Sequence, residues 1–382
     1  MLDDFRLHQA LIGRAGSRAE LNTPVLVVDR DALNRNIRRL AEFARQHGVA
    51  LRPHAKTHKC VDIAKLQIAA GAVGVCCAKL GEAEALAEAL AEGGVESILI
   101  TSPVVARPAL ARLKVLNERI PDLAVVVDNP ANVAALAAAV TRPLTVLIDI
   151  DPGIRRTGVS SAAAAVELFK VISQHKNLRY RGVQMYCGRQ QHIASYQERK
   201  DVITGLMEYL KSIIAALKAN GGAPEVVTGA GTGSHHIDAS LGVLNEWQAG
   251  SYVFMDRQYT ECDLANQPSV PYEYSLFVDA RVVSANTPGQ ATIDAGYKAF
   301  ATDGGVPVVL SGAPAGSIYN FMGDEHGMIV DPASKQVWTI GDVVRLAAPH
   351  CDPTVNLYDA YHVVSGETLV AIWPVSARGR GR

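Results

Sequence analysis

Between about residue 30 and residue 255, short β-branched runs alternate with Ala-, Leu- and Glu-rich stretches of helical period, and this alternation constrains the fold more than any other feature of the chain. Strand and helix in regular succession is the pattern of βα units wound around a parallel sheet. Strand candidates fall at 50–55, 72–77, 97–101, 123–127, 144–150, 181–186, 224–228 and 252–255, the number that a closed (β/α)8 barrel of TIM type requires. Helical stretches separate them. Leu33, Ile37, Leu40 and Ala44 mark one face after Asp31, and residues 80–92 are rich in strong helix formers. A further strand, 25–28, is surplus to a barrel and available to pair elsewhere.

After about Pro271 the helical period gives way to period-two alternation at 274–283, 291–295, 306–310, 336–340 and 369–373, punctuated by Gly, Pro and Asp. The reading is an α/β protein with a barrel over 30–265 and an all-β domain made of 1–29 and 266–382. At 382 residues the chain exceeds one typical core. A composition of 48% hydrophobic and 20% charged residues, with net charge -1, excludes a disordered chain and the basic footprint of a nucleic-acid binder. A small molecule is the default partner. Apolar runs such as 144–150 fall short of the roughly 20 residues that a membrane span needs, so no membrane is expected as partner. Asp3 and Asp4 open a terminus unlike a secretory signal, and a cytoplasmic location is expected. Six cysteines, with an adjacent pair and no CxxC spacing, point to reduced thiols. The basic tail 378–382 is expected to fray.

Three motifs bear on chemistry. Arg52-Pro53-His54-Ala55-Lys56-Thr57-His58-Lys59 puts Lys56 at the C-terminal end of the first barrel strand, where barrel active sites are built. A part-buried lysine there can act as an amine nucleophile on a carbonyl cofactor, although three basic groups also suit a plain anion site or a solvated face. Thr228-Gly229-Ala230-Gly231-Thr232-Gly233-Ser234 follows the seventh candidate strand and Gly250-Ser251-Tyr252 opens the eighth. Loops after strands seven and eight are where barrels hold phosphate; the alternative is an ordinary Gly-rich turn. His350-Cys351-Asp352 places an imidazole and a carboxylate two apart, on the same side of an extended segment. They can share a metal whose shell water and substrate oxygens complete, with Mn2+ or Mg2+ favoured over Zn2+, or they are a chance pair. Arg156, Tyr186 and His192 follow strands at the catalytic rim, where each is equally an ordinary surface or core residue.

Together these segments resemble the D-threonine aldolase and D-serine dehydratase family of alanine-racemase-like, fold type III pyridoxal-phosphate enzymes, closest to D-threonine aldolase and 3-hydroxy-D-aspartate aldolase. The match also takes in Thr23-Pro24, Gly74-Val75-Cys76-Cys77, Phe254-Met255-Asp256, Asp294-Ala295-Gly296 and Asp324-Glu325-His326-Gly327. The resemblance implies pyridoxal 5'-phosphate on Lys56 and not Lys59, Arg156 beside the pyridine nitrogen, Tyr186 near the cofactor, and Thr228, Gly231, Thr232, Gly250, Ser251 and Tyr252 around the phosphate. It makes His350 and Asp352 the metal ligands, puts His192 near the substrate β-hydroxyl, joins the surplus strand to the β domain, and implies a homodimer. Two departures stand out: Cys187, where D-threonine aldolases carry His, and Arg257-Gln258-Tyr259-Thr260, where many relatives have small or acidic residues before Tyr-Gly. Both are expected at the pocket. The activity implied is retro-aldol cleavage of a β-hydroxy-D-amino acid, D-threonine-like, to glycine and an aldehyde. The alternatives are D-serine or 3-hydroxy-D-aspartate dehydration, and 3-hydroxy-D-aspartate cleavage with Arg257 or Arg189 meeting the second carboxylate.

Overall fold

The computed structural model describes residues 4–88 and 95–382, which form two compact units. One unit comprises 38–250, 262–271 and 379–382, and the other 1–37, 251–261 and 272–378. The strands run, in chain order, β1 (Val25–Asp29), β2 (Ala50–Leu51), β3 (Val75–Cys77), β4 (Ser97–Ile100), β5 (Asp122–Val127), β6 (Leu144–Asp149), β7 (Leu178–Met185), β8 (Val226–Gly229) and β9 (Glu246–Trp247). The second half of the chain adds β10 (Leu276–Ser284), β11 (Gln290–Ile293), β12 (Val308–Ser311), β13 (Ile318–Phe321), β14 (Gly327–Val330), β15 (Val343–Ala347), β16 (Ala360–Ser365) and β17 (Thr368–Pro374).

Strands β2 to β9 make one eight-stranded parallel sheet in the order β2-β9-β8-β7-β6-β5-β4-β3. A parallel bridge between His54 and Cys76, with Ala55 N–H donating to Cys76 O (2.8 Å), carries the ladder from the end of β2 to β3. The expected α/β barrel is therefore present. Its strands are near-continuous buried runs because helices cover the outer face of a parallel sheet, and Cys76, Leu99, Ala124, Val126 and Leu147 pack together inside. Leu33, Ile37, Leu40 and Ala44 form the buried face of helix Arg30–Gln46. Capping side chains start the later helices: Ser195 accepts from Glu198 N–H (3.3 Å) at the head of Tyr196–Ala219.

The eighth strand departs from expectation. It is β9, two residues long and opened by Glu246, whereas 252–255 lies largely in a 3-10 turn (Ser251–Val253) of the other unit. Two residues are too few to show a period, and Glu246 is buried only because Arg52 pairs with it (3.1 Å). Helix Leu80–Glu88 matches the expected span up to residue 88; 89–92 lie outside the described residues. The basic tail packs instead of fraying: Arg112 Nη2 donates to Arg382 O (3.0 Å), and Gly81 has no Cβ because Arg380 O fills that space.

The other unit holds a nine-stranded, mostly antiparallel sheet. The surplus strand β1 joins it, antiparallel to β10 and parallel to β16, over a core of Leu21, Val25, Val27, Val364 and Leu369. The expected strand at 336–340 is absent. Asp331 captures the backbone N–H groups of Ala333, Lys335 and Gln336 (2.9 to 3.0 Å), so they are unavailable to a ladder, and Val337 and Ile340 are exposed. Asp294-Ala295-Gly296 meets Asp324-Glu325-His326-Gly327, since the space of a Gly296 Cβ is taken by Gly323 O, Asp324 O and His326 N.

Candidate active site

Lys56 sits in the turn after β2. Its N–H donates to His54 Nδ1 (3.4 Å), while His54 Nε2 lies 3.0 Å from Thr101 Oγ1, whose hydroxyl donates to Cys77 O (3.2 Å). With the threonine proton committed to that carbonyl, Thr101 accepts from His54, which assigns the imidazole proton to Nε2. Lys56 lines a cavity of ≈ 260 Å³ together with His54, Ala78, Lys79, Thr101, Ser102, Arg156, Gln184, Tyr186 and Gln248. All stand at or just beyond the C-terminal ends of barrel strands. Among the described residues that line it there is no carboxylate, so Lys56, Lys79 and Arg156 make the cavity attractive to an anion. Lys59 Nζ instead lies 3.5 Å from Glu82 Oε1 in a largely buried pair. The structure thus brings Lys56, Arg156 and Tyr186 together, with Arg156 Cζ 6.0 Å from the centre of the Tyr186 ring.

A buried polar chain crosses the barrel beneath the cavity. Gln248 Nε2 donates to Thr228 Oγ1 (3.0 Å) and Gln184 Oε1 (3.1 Å), Gln184 Nε2 donates to Asp149 Oδ1 (2.9 Å), and the Thr157 hydroxyl donates to Asp149 Oδ2 (2.7 Å). Burial pushes the Asp149 carboxyl up to about 6, against the lowering effect of the Gln184 and Thr157 hydrogen bonds. Sequence reasoning missed His54, Thr101, Gln184 and Gln248. Their signal was weak but present: Gln184 is two residues before Tyr186 on one strand, and Thr101 ends another.

Thr228 closes part of β8, and Gly231 and Thr232 follow it in the loop. Gly250 follows β9, not the start of a strand, so both glycine segments come after strands seven and eight of the barrel. A Cβ on Gly250 would stand 2.7 Å from Thr57 Oγ1 and 3.0 Å from His54 O; glycine alone allows this approach to the turn that bears Lys56. Thr57 is fully buried and its hydroxyl has no hydrogen-bond partner among the described residues. A cation-lined cavity bearing Lys56, with glycine segments and the orphaned Thr57 hydroxyl in the neighbouring turns, fits a phosphorylated carbonyl compound such as pyridoxal phosphate.

In the other unit, Tyr252 is buried edge-to-face against Tyr272 at 5.6 Å, and Ser251 Oγ donates to Asp352 Oδ1 (3.2 Å). His350 is extended, but Asp352 lies in a short helix, Cys351–Val355, and not on the extended segment expected. Asp and Pro are favoured in a helical first turn, and Thr354 Oγ1 closes this one by donating to His350 O (2.7 Å). His350 Nδ1 meets Asp303 Oδ2 at 2.7 Å, the outer-shell pattern that leaves Nε2 for a metal. Among the described residues no group of three or more His, Cys, Asp or Glu side chains is arranged to hold a metal ion. His350 and Asp352 could offer one nitrogen and one carboxylate, a pair that suits a hard, water-rich cation.

His192 is exposed at the end of a 3-10 turn, Arg189–His192, and is not among the cavity-lining residues. Neither is Cys187, whose thiol burial pushes up, nor Arg257, which pairs with Glu261 (2.6 Å) and donates to Val306 O (3.1 Å). All six cysteines are buried and free of disulfides, and among the described residues no helix is long and apolar enough to cross a membrane.

Fold and cavity together define a barrel enzyme of the alanine racemase type. A family model described as "Alanine racemase, N-terminal domain" matches residues 28–258, and one described as "Putative serine dehydratase domain" matches 275–364. The chain belongs to the D-threonine aldolase and D-serine dehydratase family of alanine-racemase-like enzymes, a family that implies pyridoxal phosphate, and is a lyase. It is 39% identical to the 3-hydroxy-D-aspartate aldolase of Paracoccus denitrificans (strain Pd 1222), over 95% of this chain and 94% of that protein. It is 38% identical to the D-threonine aldolase of an Arthrobacter species, over the same shares. The crystal structure of D-threonine aldolase from Filomicrobium marinum superposes with a TM-score of 0.88 at 38% identity, covering 94% of this chain and 96% of that one.

Proposed function

We propose that the chain is a pyridoxal-phosphate- and divalent-metal-dependent aldolase that cleaves β-hydroxy-D-amino acids to glycine and an aldehyde. The observation that carries this is Lys56 in a cation-lined cavity at the strand ends, in a chain that is similar along nearly its whole length to two such aldolases. When bound, the cofactor supplies the electron sink for the Cα–Cβ bond that breaks. Lys56 holds it, and its amine is the group placed to return a proton to Cα. Arg156 contributes hydrogen-bond donors only. Lys79, the remaining cation of the lining, orients the substrate carboxylate by charge. His350 and Asp352 would hold Mn2+ or Mg2+, with Zn2+ the softer choice, and a metal there polarises the β-oxygen. That hydroxyl proton would go to His192 or to a water held by the metal, and His192 does not line the cavity as it stands. The protein is proposed to work as a cytoplasmic homodimer on a free amino acid, with neither nucleic acid nor membrane as partner.

A second reading, cleavage of 3-hydroxy-D-aspartate, is favoured by Lys79, a second ammonium in a cavity without a lining carboxylate; Arg257 is already paired with Glu261. A third, β-elimination by a dehydratase acting on D-serine or 3-hydroxy-D-aspartate, draws on the match of residues 275–364. The metal-supplemented enzyme should turn D-threonine or 3-hydroxy-D-aspartate into glycine and an aldehyde. Keto acid and ammonia from D-threonine, D-serine or 3-hydroxy-D-aspartate would place it among the dehydratases.

A further inference from the structure

One buried side chain joins the segment of Tyr186 and His192 to the loop of Gly231 and Thr232. Gln191 is fully buried. Its Nε2 donates to Cys187 O (3.1 Å) and Ser234 Oγ (3.0 Å), and its Oε1 accepts from Gly233 N–H (2.9 Å). Ser234 Oγ also accepts from Gly231 N–H (3.0 Å). Both polar atoms of the amide are therefore engaged, and a carboxylate would have no N–H for the Cys187 carbonyl.

Two of the loop's glycines answer to this residue. A Cβ on Gly231 would overlap the Gln191 amide oxygen, and one on Gly233 would overlap the Gln191 carbonyl. Neither glycine lies in the left-handed region, so what each provides is room. Gly233 N–H is tied to Gln191 and Gly231 N–H to Ser234, so the course of the loop is held by a side chain from the neighbouring segment while these two donors are spent on the brace itself.

We propose that Gln191 is a positioning residue that braces the 228–234 loop in the form that receives the cofactor's phosphate and ties that loop to the segment bearing Tyr186. The proposal rests on the pyridoxal-phosphate reading of the cavity. Its test separates phosphate grip from general integrity. The full-length chain is freed of cofactor and titrated, by visible absorbance, with pyridoxal phosphate and with pyridoxal, as wild type, Gln191→Met and Ser234→Ala. Wild type should prefer the phosphorylated compound. Each variant should bind it about tenfold more weakly while pyridoxal binding stays within about twofold, so the ratio falls. Ser234→Ala carries the test if Gln191→Met does not fold. An unchanged ratio, or equal loss for both compounds, overturns the role of Gln191 and leaves the cofactor reading standing. A wild type that forms no adduct with pyridoxal phosphate overturns both.

Discussion

Two lysines three residues apart have opposite surroundings, and that difference decides which can be a nucleophile. Lys59 is held by Glu82, whose carboxylate also accepts Ala78 N–H (2.8 Å) and Lys79 N–H (3.3 Å), while Lys56 faces the cavity. Lys56→Ala should abolish the visible absorbance of the bound cofactor, Lys59→Ala should retain it, and borohydride reduction should mark the peptide at residue 56; label on Lys59 would sink the assignment. Asp149 offers a second measurement. Its carboxyl rises to about 6 in the folded chain, from an ordinary value near 4, so the folded state binds the proton more tightly than the unfolded one. Stability is therefore lost as pH rises from about 4 through 6 and recovered as it falls. Asp149→Asn should stabilise the cofactor-free chain at pH 7.5 by up to about 3 kcal/mol, a gain that vanishes towards pH 4. A gain independent of pH would show that burial of charge is not its cause.

At the scale of elements, the loops after β8 and β9 are where glycine placement can be tested without touching the chemistry. Gly231→Ala should cost about 1–3 kcal/mol through overlap with the Gln191 side chain, and Gln191→Ala should relieve part of it. Gly233→Ala meets the Gln191 backbone and should not be relieved. Additive losses in both pairs, read by denaturant unfolding, would mean that the loop moves elsewhere. This layer was legible in part. Helix Arg30–Gln46 announced itself because burial of one face imposes a period, and strands β5 and β6 because burial on both faces makes a short continuous apolar run. β9 did not, being two residues with a buried glutamate, and 336–340 read as a strand because sequence cannot show Asp331 taking the backbone donors. Lys56 stood out through its motif and strand-end position. Gln191 had no such mark: its partners lie 4 to 43 residues away and only the fold brings them together.

At the scale of the molecule, most residues assigned to the two cofactors belong to different units, the exceptions being Ser251 and Tyr252, assigned to the phosphate but part of the sheet unit. Lys56, Arg156, Tyr186, Thr228, Gly231 and Gly250 lie in the barrel unit, and His350, Asp352 and Asp303 lie in the sheet unit, with the chain passing between units at residues 250 and 251. Each set has its own supports. The barrel set is held by the Gln248, Gln184 and Asp149 hydrogen bonds, and the metal pair by Asp303 and Ser251. Ser251 belongs to both sets, but the barrel hydrogen bonds do not pass through the metal pair, so removing the metal should leave the pyridoxal phosphate in place. Chelation of the holoenzyme is accordingly expected to lower turnover by about two orders of magnitude or more, restored by Mn2+, while the visible absorbance persists. With only two protein donors the ion is held loosely, so dialysis should achieve the same loss slowly. His350→Ala should reproduce the chelated state with the cofactor spectrum unchanged, and Asp303→Asn should weaken Mn2+ binding by about 10- to 100-fold, as loss of an outer-shell partner does. Release of the cofactor on chelation would instead make the metal a structural link between the two networks, and the division of labour between the units would have to be abandoned.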